Sequence, residues 1–293
     1  MAGLKEIRTR IASIKTTRQV TSAMKMVSAA KLKKAQDAIL QIRPYADKLH
    51  QILISISSSL QNEEDHSVYT QAREPEKILI VVISSNRGLC GSFNLNIAKK
   101  AVELVHNKYS LQYQMGEVEF LCIGKMAERQ VKLRGMKVVE SHHKLYDHLD
   151  INHVYQLAKE LMQKFSTRQY DRIELVYNRF LNAAVQLNTT EQFLPVKMEQ
   201  ENLNMQYFDY IFEPSKEYII QELIPRSLKV QFYKAMLDSH AAEHGARMTA
   251  MHQATDNATE ILKDLTLQYN KVRQASITSE ILEIVSGAEA LKG

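Results

Sequence analysis

The stretch from about Ser215 to Ala290 constrains the fold most. It holds one proline, Pro225, and two glycines, Gly245 and Gly287, among residues that otherwise favour helix. It reads as a single helix, kinked at most at Pro225. At a rise of about 1.5 Å per residue it would be on the order of 100 Å long, whereas a compact domain built from the middle of the chain would be roughly 40 Å across. Most of the helix must project beyond that domain. Leu237, Met251, Ala258, Leu265 and Val272 fall on a seven-residue period, flanked by Ala254, Ile261, Ala275 and Leu282, while His244, Arg247 and Gln268 interrupt the stripe. The pattern predicts an imperfect coiled-coil seam.

A projecting amphipathic helix needs a partner, and the other end of the chain supplies one. From Gly3 to about Leu60 the pattern is helical, starting with Leu4, Ile7, Ile11 and Ile14. After a phase shift it resumes with Ala35, Ile42, Leu49 and Ile56, joined by Ile39, Ala46, Leu53 and Leu60. Pro44 is expected to bend this helix without ending it, because the heptad phase is the same on both sides. Both terminal helices leave the same central domain, so they are expected to pair antiparallel. Each large apolar side chain buried between them contributes about 1.5–3 kcal/mol.

The middle reads differently. Residues 61–76 are a polar linker containing Pro75, followed by the β-branched run KILIVVISS, a buried parallel strand. NRGLCGSFN, a helix from about Leu95 to Lys108 and the strand EVEFLCIG complete a strand-turn-helix-strand unit. A helix over Lys125 to Arg134, one over Ile151 to Phe165 capped by Asp150, and a hairpin of strands near 172–180 and 184–196 follow. YFDYIF, 207–212, leads into the last helix. The organisation predicted is 1–60 helix, 61–76 linker, 77–212 α/β domain and 213–293 helix: α/β, with a long antiparallel two-helix coiled coil from the two ends and a central Rossmann-like domain.

Candidate chemistry is sparse. No apolar run is long enough to span a bilayer, and MAGLKEIRTR lacks a signal-peptide core. Cys90 and Cys122 read as buried small hydrophobes. Gly88 and Gly91 lie between a strand and a helix, as in a phosphate loop, but a third glycine at dinucleotide spacing and a Gly-Lys-Ser/Thr ending are both missing. A tight turn is the better reading. His142, His143, His148 and His153 beside Asp147 and Asp150 lack the spacing of a zinc helix, and Glu119, Glu128 and Glu140 form no acid/base pair. No catalytic residue, cofactor or metal is expected. The net charge is +5, and nine cations from Lys5 to Lys34 face only Glu6 there, so the amino end suits an acidic partner. Nucleic acid is the alternative, although Tyr45 is the only aromatic before Tyr69 for base stacking.

In combination the chain resembles the γ subunits of F-type ATP synthases over essentially its whole length. The opening MAGLKEIRTRIASIKTTRQVTSAMKMVSAAKLKKAQ, the central ISSNRGLCGSFN and the closing GARMTAMHQATDNATEILKDLTLQYNKVRQASITSEILEIVSGAEAL carry the likeness. Asn86 stands where the family usually has Asp, and Ser92 where it often has Gly. The resemblance implies a non-catalytic rotor: a coiled coil inserted in the α/β hexamer, with the α/β domain against the ε subunit and the c-ring. It places the chain peripherally at the cytoplasmic face of a bacterial inner membrane, with no nucleic acid. Through AMKMV and VRQASIT it points to Met24, Lys25, Arg273, Gln274 and Thr278 as hexamer contacts, with Arg247 and Glu283 as further coupling candidates. It also implies that Ile281, Ile284, Val285 and Leu291 turn in an apolar bearing.

Overall fold

The computed structural model describes residues 3–58, 68–71, 73–147, 149–196, 213 and 216–290. Expectations for Leu60, much of the linker, His148, the 207–212 segment and Leu291 lie outside the described residues, as do those for the side chains of Leu53 and Ile56. In chain order the elements are α1 (Leu4–Ser58), β1 (Ile78–Ile83), α2 (Phe93–Lys108), α3 (Ser110–Gln114), β2 (Val118–Ile123) and α4 (Lys125–Lys132). They continue with β3 (Val138–Ser141), α5 (His143–Asp147), α6 (Ile151–Ser166), β4 (Arg172–Phe180), β5 (Gln186–Leu194) and α7 (Lys216–Ala290). The chain forms two units, Met1–Ser28 with Met248–Gly293, and Ala29–Arg247.

The larger unit is built on a sheet of order β3-β2-β1-β4-β5, parallel except for the antiparallel β4–β5 hairpin. β1 is central, and each of its six residues is 0% exposed, which is why its sequence is an unbroken β-branched and leucine run. Leu79, Val81 and Ile83 pack on Val154, Leu157 and Leu161 of α6 and on Ile224, Leu228 and Phe232 of α7. Ile78, Ile80 and Val82 face Ile97, Ala101 and Val105 of α2 and Val131 of α4. The result is a three-layer, Rossmann-like sandwich. Asp150 caps α6 as expected, its carboxylate accepting from His153 N at 3.4 Å. Gly124 joins β2 to α4 at φ +99°, and a Cβ there would lie 2.2 Å from the Ser84 carbonyl oxygen. Only glycine fits.

Three short elements escape sequence reading. β3 has four residues, too few for a period to register, and α3 and α5 are five-residue turns of helix. Around His142 and His143 the chain passes from the end of β3 straight into α5.

The expected phase shift in α1 is not there. Leu4, Ile7, Ile11, Ile14, Arg18, Thr21, Lys25, Ser28, Leu32, Ala35, Ile39, Ile42, Ala46 and Leu49 alternate three- and four-residue steps, and every one is buried or half-buried. Arg18, Thr21, Lys25 and Ser28 hold inward positions, so the stripe loses its apolar markers without losing register. Pro44 sits inside α1 and Pro225 inside α7, neither ending its helix.

Candidate functional site

In open α/β sheets, ligands bind beyond the carboxyl ends of the strands where the strand order reverses, here between β1 and β4. That place is occupied by the chain itself. Ala242 and Ala246 of α7 pack with Cys90, Phe93 and Phe180, and Gly245 runs so close to Ala183 that a Cβ would be 3.2 Å from its Cα. Arg247, 7% exposed, donates through Nη2 to the carbonyls of Arg87 and Gly88 at 3.3 and 3.2 Å. Its Nη1 lies 2.5 Å from Glu243 Oε1. The glycine turn therefore offers carbonyls to an internal guanidinium, the reverse of a phosphate cradle.

The turn is tied down from other directions too. Asn94 Oδ1 accepts from Ser85 N at 3.1 Å, and Leu89 and Gly91 take φ +62° and +60°. Asn86, where the family usually has Asp, donates Nδ2 to the His143 carbonyl at 2.8 Å and accepts from Lys125 N at 2.9 Å. An aspartate could make only the second bond. Burial pushes the Cys90 and Cys122 thiols up, Cys122 to about 12, so both are inert hydrophobes as expected.

Among the described residues, the histidine-rich segment does not converge. His142 meets Glu140 at 3.4 Å, His143 meets Glu128 at 2.6 Å and His153 meets Asp150 at 3.0 Å, each a separate pair. Glu119 and Glu128 are further held by Lys137 and Lys132 at 2.5 and 2.6 Å, and Glu140 by Lys164, so these carboxylates are structural.

The smaller unit is an antiparallel helix pair. Arg8 donates to Tyr269 Oη at 3.0 Å, Thr255 to Thr21 Oγ1 at 2.8 Å, and Lys25 Nζ lies 3.4 Å from His252 Nδ1. Between the outer two of these contacts α1 advances seventeen residues while α7 retreats seventeen, a constant register. Met251, Ala258, Leu265 and Val272 face inward as predicted. Their neighbours in the seam, however, are Thr255, Leu262, Tyr269 and Ser276. Ile261, Gln268, Ala275 and Leu282 are exposed, so the expected second stripe is displaced by one residue, and Gln268 does not interrupt the seam. Ala254, by contrast, is half-buried.

The register places Arg273 opposite Leu4. Beyond it, every residue from Gln274 to Ala290 except Ser276 is exposed, including Ile277, Ile281, Leu282, Ile284 and Val285. Among the described residues nothing covers this apolar end. Of the predicted contact residues, Met24 and Lys25 are half-buried beside the seam, and Arg273, Gln274, Thr278 and Glu283 are exposed on α7. Thr278 donates to the Gln274 carbonyl at 2.9 Å. Arg247 belongs to the larger unit and is bound within it. Sequence reasoning missed Glu243, although its four-residue spacing from Arg247 is a visible signal. It also missed Met26 and Val27, 64% and 58% exposed on the outer face of α1.

Comparison with known proteins agrees with this architecture. A family model described as ATP synthase matches residues 3–291. The ATP synthase gamma chain of Cytophaga hutchinsonii is 52% identical over 99% of both chains. That of Flavobacterium johnsoniae is 54% identical over 100% of both. A chain in the cryo-EM structure of the Euglena gracilis mitochondrial ATP synthase OSCP/F1/c-ring shares the fold, with TM-score 0.72 and 21% identity over 98% of this chain and 94% of that one. The rotor of the same enzyme gives TM-score 0.65 and 19% identity over 94% and 98%. With a two-helix seam, a closed switch point and kinship along its full length, this chain belongs to the ATP synthase family, among its gamma chains.

Proposed function

We propose that this chain couples ion-driven rotation of a c-ring to the catalytic cycle of an α/β hexamer, as the central-stalk rotor of an F-type ATP synthase. It carries no active site; the chemistry belongs to the hexamer. Residues 1–60 and 213–293 form the shaft and 77–212 the base, which meets the ε subunit and the c-ring. The chain is held peripherally, through its partners, at the cytoplasmic face of a bacterial inner membrane; no described helix is long and apolar enough to cross a membrane. The observation that carries the reading is full-length kinship with gamma chains together with the exposed apolar end of α7. The nucleic-acid adaptor reading finds no support: the full-length relatives are ATP synthase gamma chains, and Arg18 and Lys25 of the basic run turn toward the seam.

The mechanism follows from symmetry and from the kinds of contact available. Two antiparallel helices have no three-fold axis, so three identical catalytic subunits around them meet three different faces. A contact changes a subunit's nucleotide affinity only by the free energy with which it distinguishes one orientation from another. Apolar contacts are non-directional, so Ile281, Ile284 and Val285 in an apolar collar hold the axis without choosing an angle. Hydrogen-bonding groups are directional. Lys25, Arg273, Gln274, Thr278 and Glu283, with Met24 beside Lys25, are the residues assigned to angle-dependent contact. Arg247 acts as a positioning residue through the turn it holds.

The test is a reassembled complex carrying Gln274→Ala with Thr278→Ala. Assembly should be retained while ion-driven ATP synthesis falls several-fold. Synthesis at the wild-type rate by fully assembled complexes removes these two residues from coupling.

A further inference from the structure

One side-chain cluster lies outside everything the rotor reading uses. His240 and His244 are one turn apart on α7, in the sequence His240-Ala241-Ala242-Glu243-His244, with their rings at 84° and centroids 4.5 Å apart. Their Nε2 atoms are 3.3 Å apart. That separation equals the edge of a tetrahedron whose bonds are about 2.0–2.1 Å, the length of a zinc–imidazole bond. A ligand atom from each of His240, Glu243 and His244 lies within 4.8 Å of the others, the one such triad among the described residues. Two histidines and a glutamate are also a common donor set for this ion.

Three further observations bear on the cluster. Glu243 and His244 are each 5% exposed, so the site is walled rather than a surface coincidence. His244 Nδ1 is buried with no hydrogen-bond partner, so no second bond locks the ring's tautomer and Nε2 can present its lone pair. Tyr146 walls the site, its ring 5.7 Å from His240 and its hydroxyl donating to the Ser239 carbonyl at 3.3 Å.

We propose that His240 and His244, with Glu243 as third ligand, form a binding site for a borderline divalent cation of the zinc class. The charges that face it are Lys31 and Lys34 of α1 and Arg247 of α7, against Asp147 of α5 and Glu243 itself. That cationic excess opposes any dication, so the selectivity rests on the imidazole donors, which suit ions of the zinc class rather than calcium or magnesium with their oxygen ligands. Because Glu243 also holds Arg247, the ion ties the site to the turn at Arg87 and Gly88.

The experiment uses untagged full-length chain stripped of metal and titrated with Zn²⁺ against a chromophoric chelator, and with Co²⁺ read by its visible ligand-field band. The expected result is one ion per chain, a tetrahedral-type cobalt spectrum, no response to Mg²⁺, and at least about tenfold weaker binding in the His240→Ala/His244→Ala variant. Absence of saturable binding, or unchanged affinity in that variant, overturns the site. Should the variant fail to fold, anomalous diffraction at the zinc edge from wild-type crystals decides: a peak between His240 and His244 supports the site, and a peak elsewhere or none overturns it.

Discussion

Replacing Arg247 with Met keeps the aliphatic bulk and removes the guanidinium. It leaves Glu243 Oε1 without the partner now 2.5 Å away, and the carbonyls of Arg87 and Gly88 without their donor. Breaking a buried ion pair from one side costs about 3–5 kcal/mol, mostly the penalty of an uncompensated buried charge. Burial already raises the Glu243 pKa, and Arg247 is the largest influence opposing it. Without Arg247 the carboxyl rises further, and protonation relieves the penalty. The loss should therefore be about 3–5 kcal/mol near pH 8 and smaller near pH 5.5. Urea unfolding of the full chain, followed by far-UV circular dichroism at both pH values, measures it. Arg247→Met with Glu243→Met should cost less than the sum of the single changes, with a coupling of at least about 2 kcal/mol. A single-variant loss under about 0.5 kcal/mol, or additive losses in the cycle, refutes the anchor and leaves Arg247 as a candidate for direct contact with the hexamer.

Gly124→Ala should cost more than about 4 kcal/mol, since its Cβ would be 2.2 Å from backbone at Ser84 and the residue sits at φ +99°; soluble chain of near-normal thermal stability would contradict this. Asp238 is 1% exposed, with Oδ1 lacking a partner, and burial raises its pKa from 3.8 to about 6. Between those values the folded chain binds more protons than the unfolded one, so this group's contribution to stability falls as pH rises and stays low above about pH 6. Asp238→Asn should accordingly stabilise by about 1–3 kcal/mol near pH 7.5 and by nothing near pH 4; a pH-independent effect in paired denaturation curves contradicts that origin. In the seam, Thr21→Val with Thr255→Val should stabilise the helix pair by about 1 kcal/mol, because each hydroxyl has a carbonyl of its own helix within reach, at Arg18 and Met251, and its single proton, shared between that carbonyl and the seam, contributes little net energy across it. Hydrogen exchange of amides in residues 8–28 reports it, and faster exchange in the double variant goes against it.

What the sequence determined by itself was whatever depends on a local period or a local burial environment. The stripe of Met251, Ala258, Leu265 and Val272 was legible because a seven-residue repeat is a property of one helix, whatever faces it. The run from Ile78 to Ile83 was legible because a strand covered on both faces has no polar side to show. Gln274, Thr278 and their neighbours came from family likeness, since an exposed polar residue carries no local mark of the partner it meets. Tertiary structure decided the rest. Residues three and four positions from a seam residue both flank it, and only the facing helix selects Thr255, Leu262 and Tyr269 over Gln268 and Ala275. Register through Arg18, Thr21, Lys25 and Ser28 was hidden because polar residues at inward positions erase the hydrophobic pattern while leaving the geometry intact. The closure of the glycine turn depended on Arg247, far along the chain, reaching two carbonyls after the sheet had brought them together. No local pattern can encode a contact that exists only once a strand, a turn and the last helix have converged.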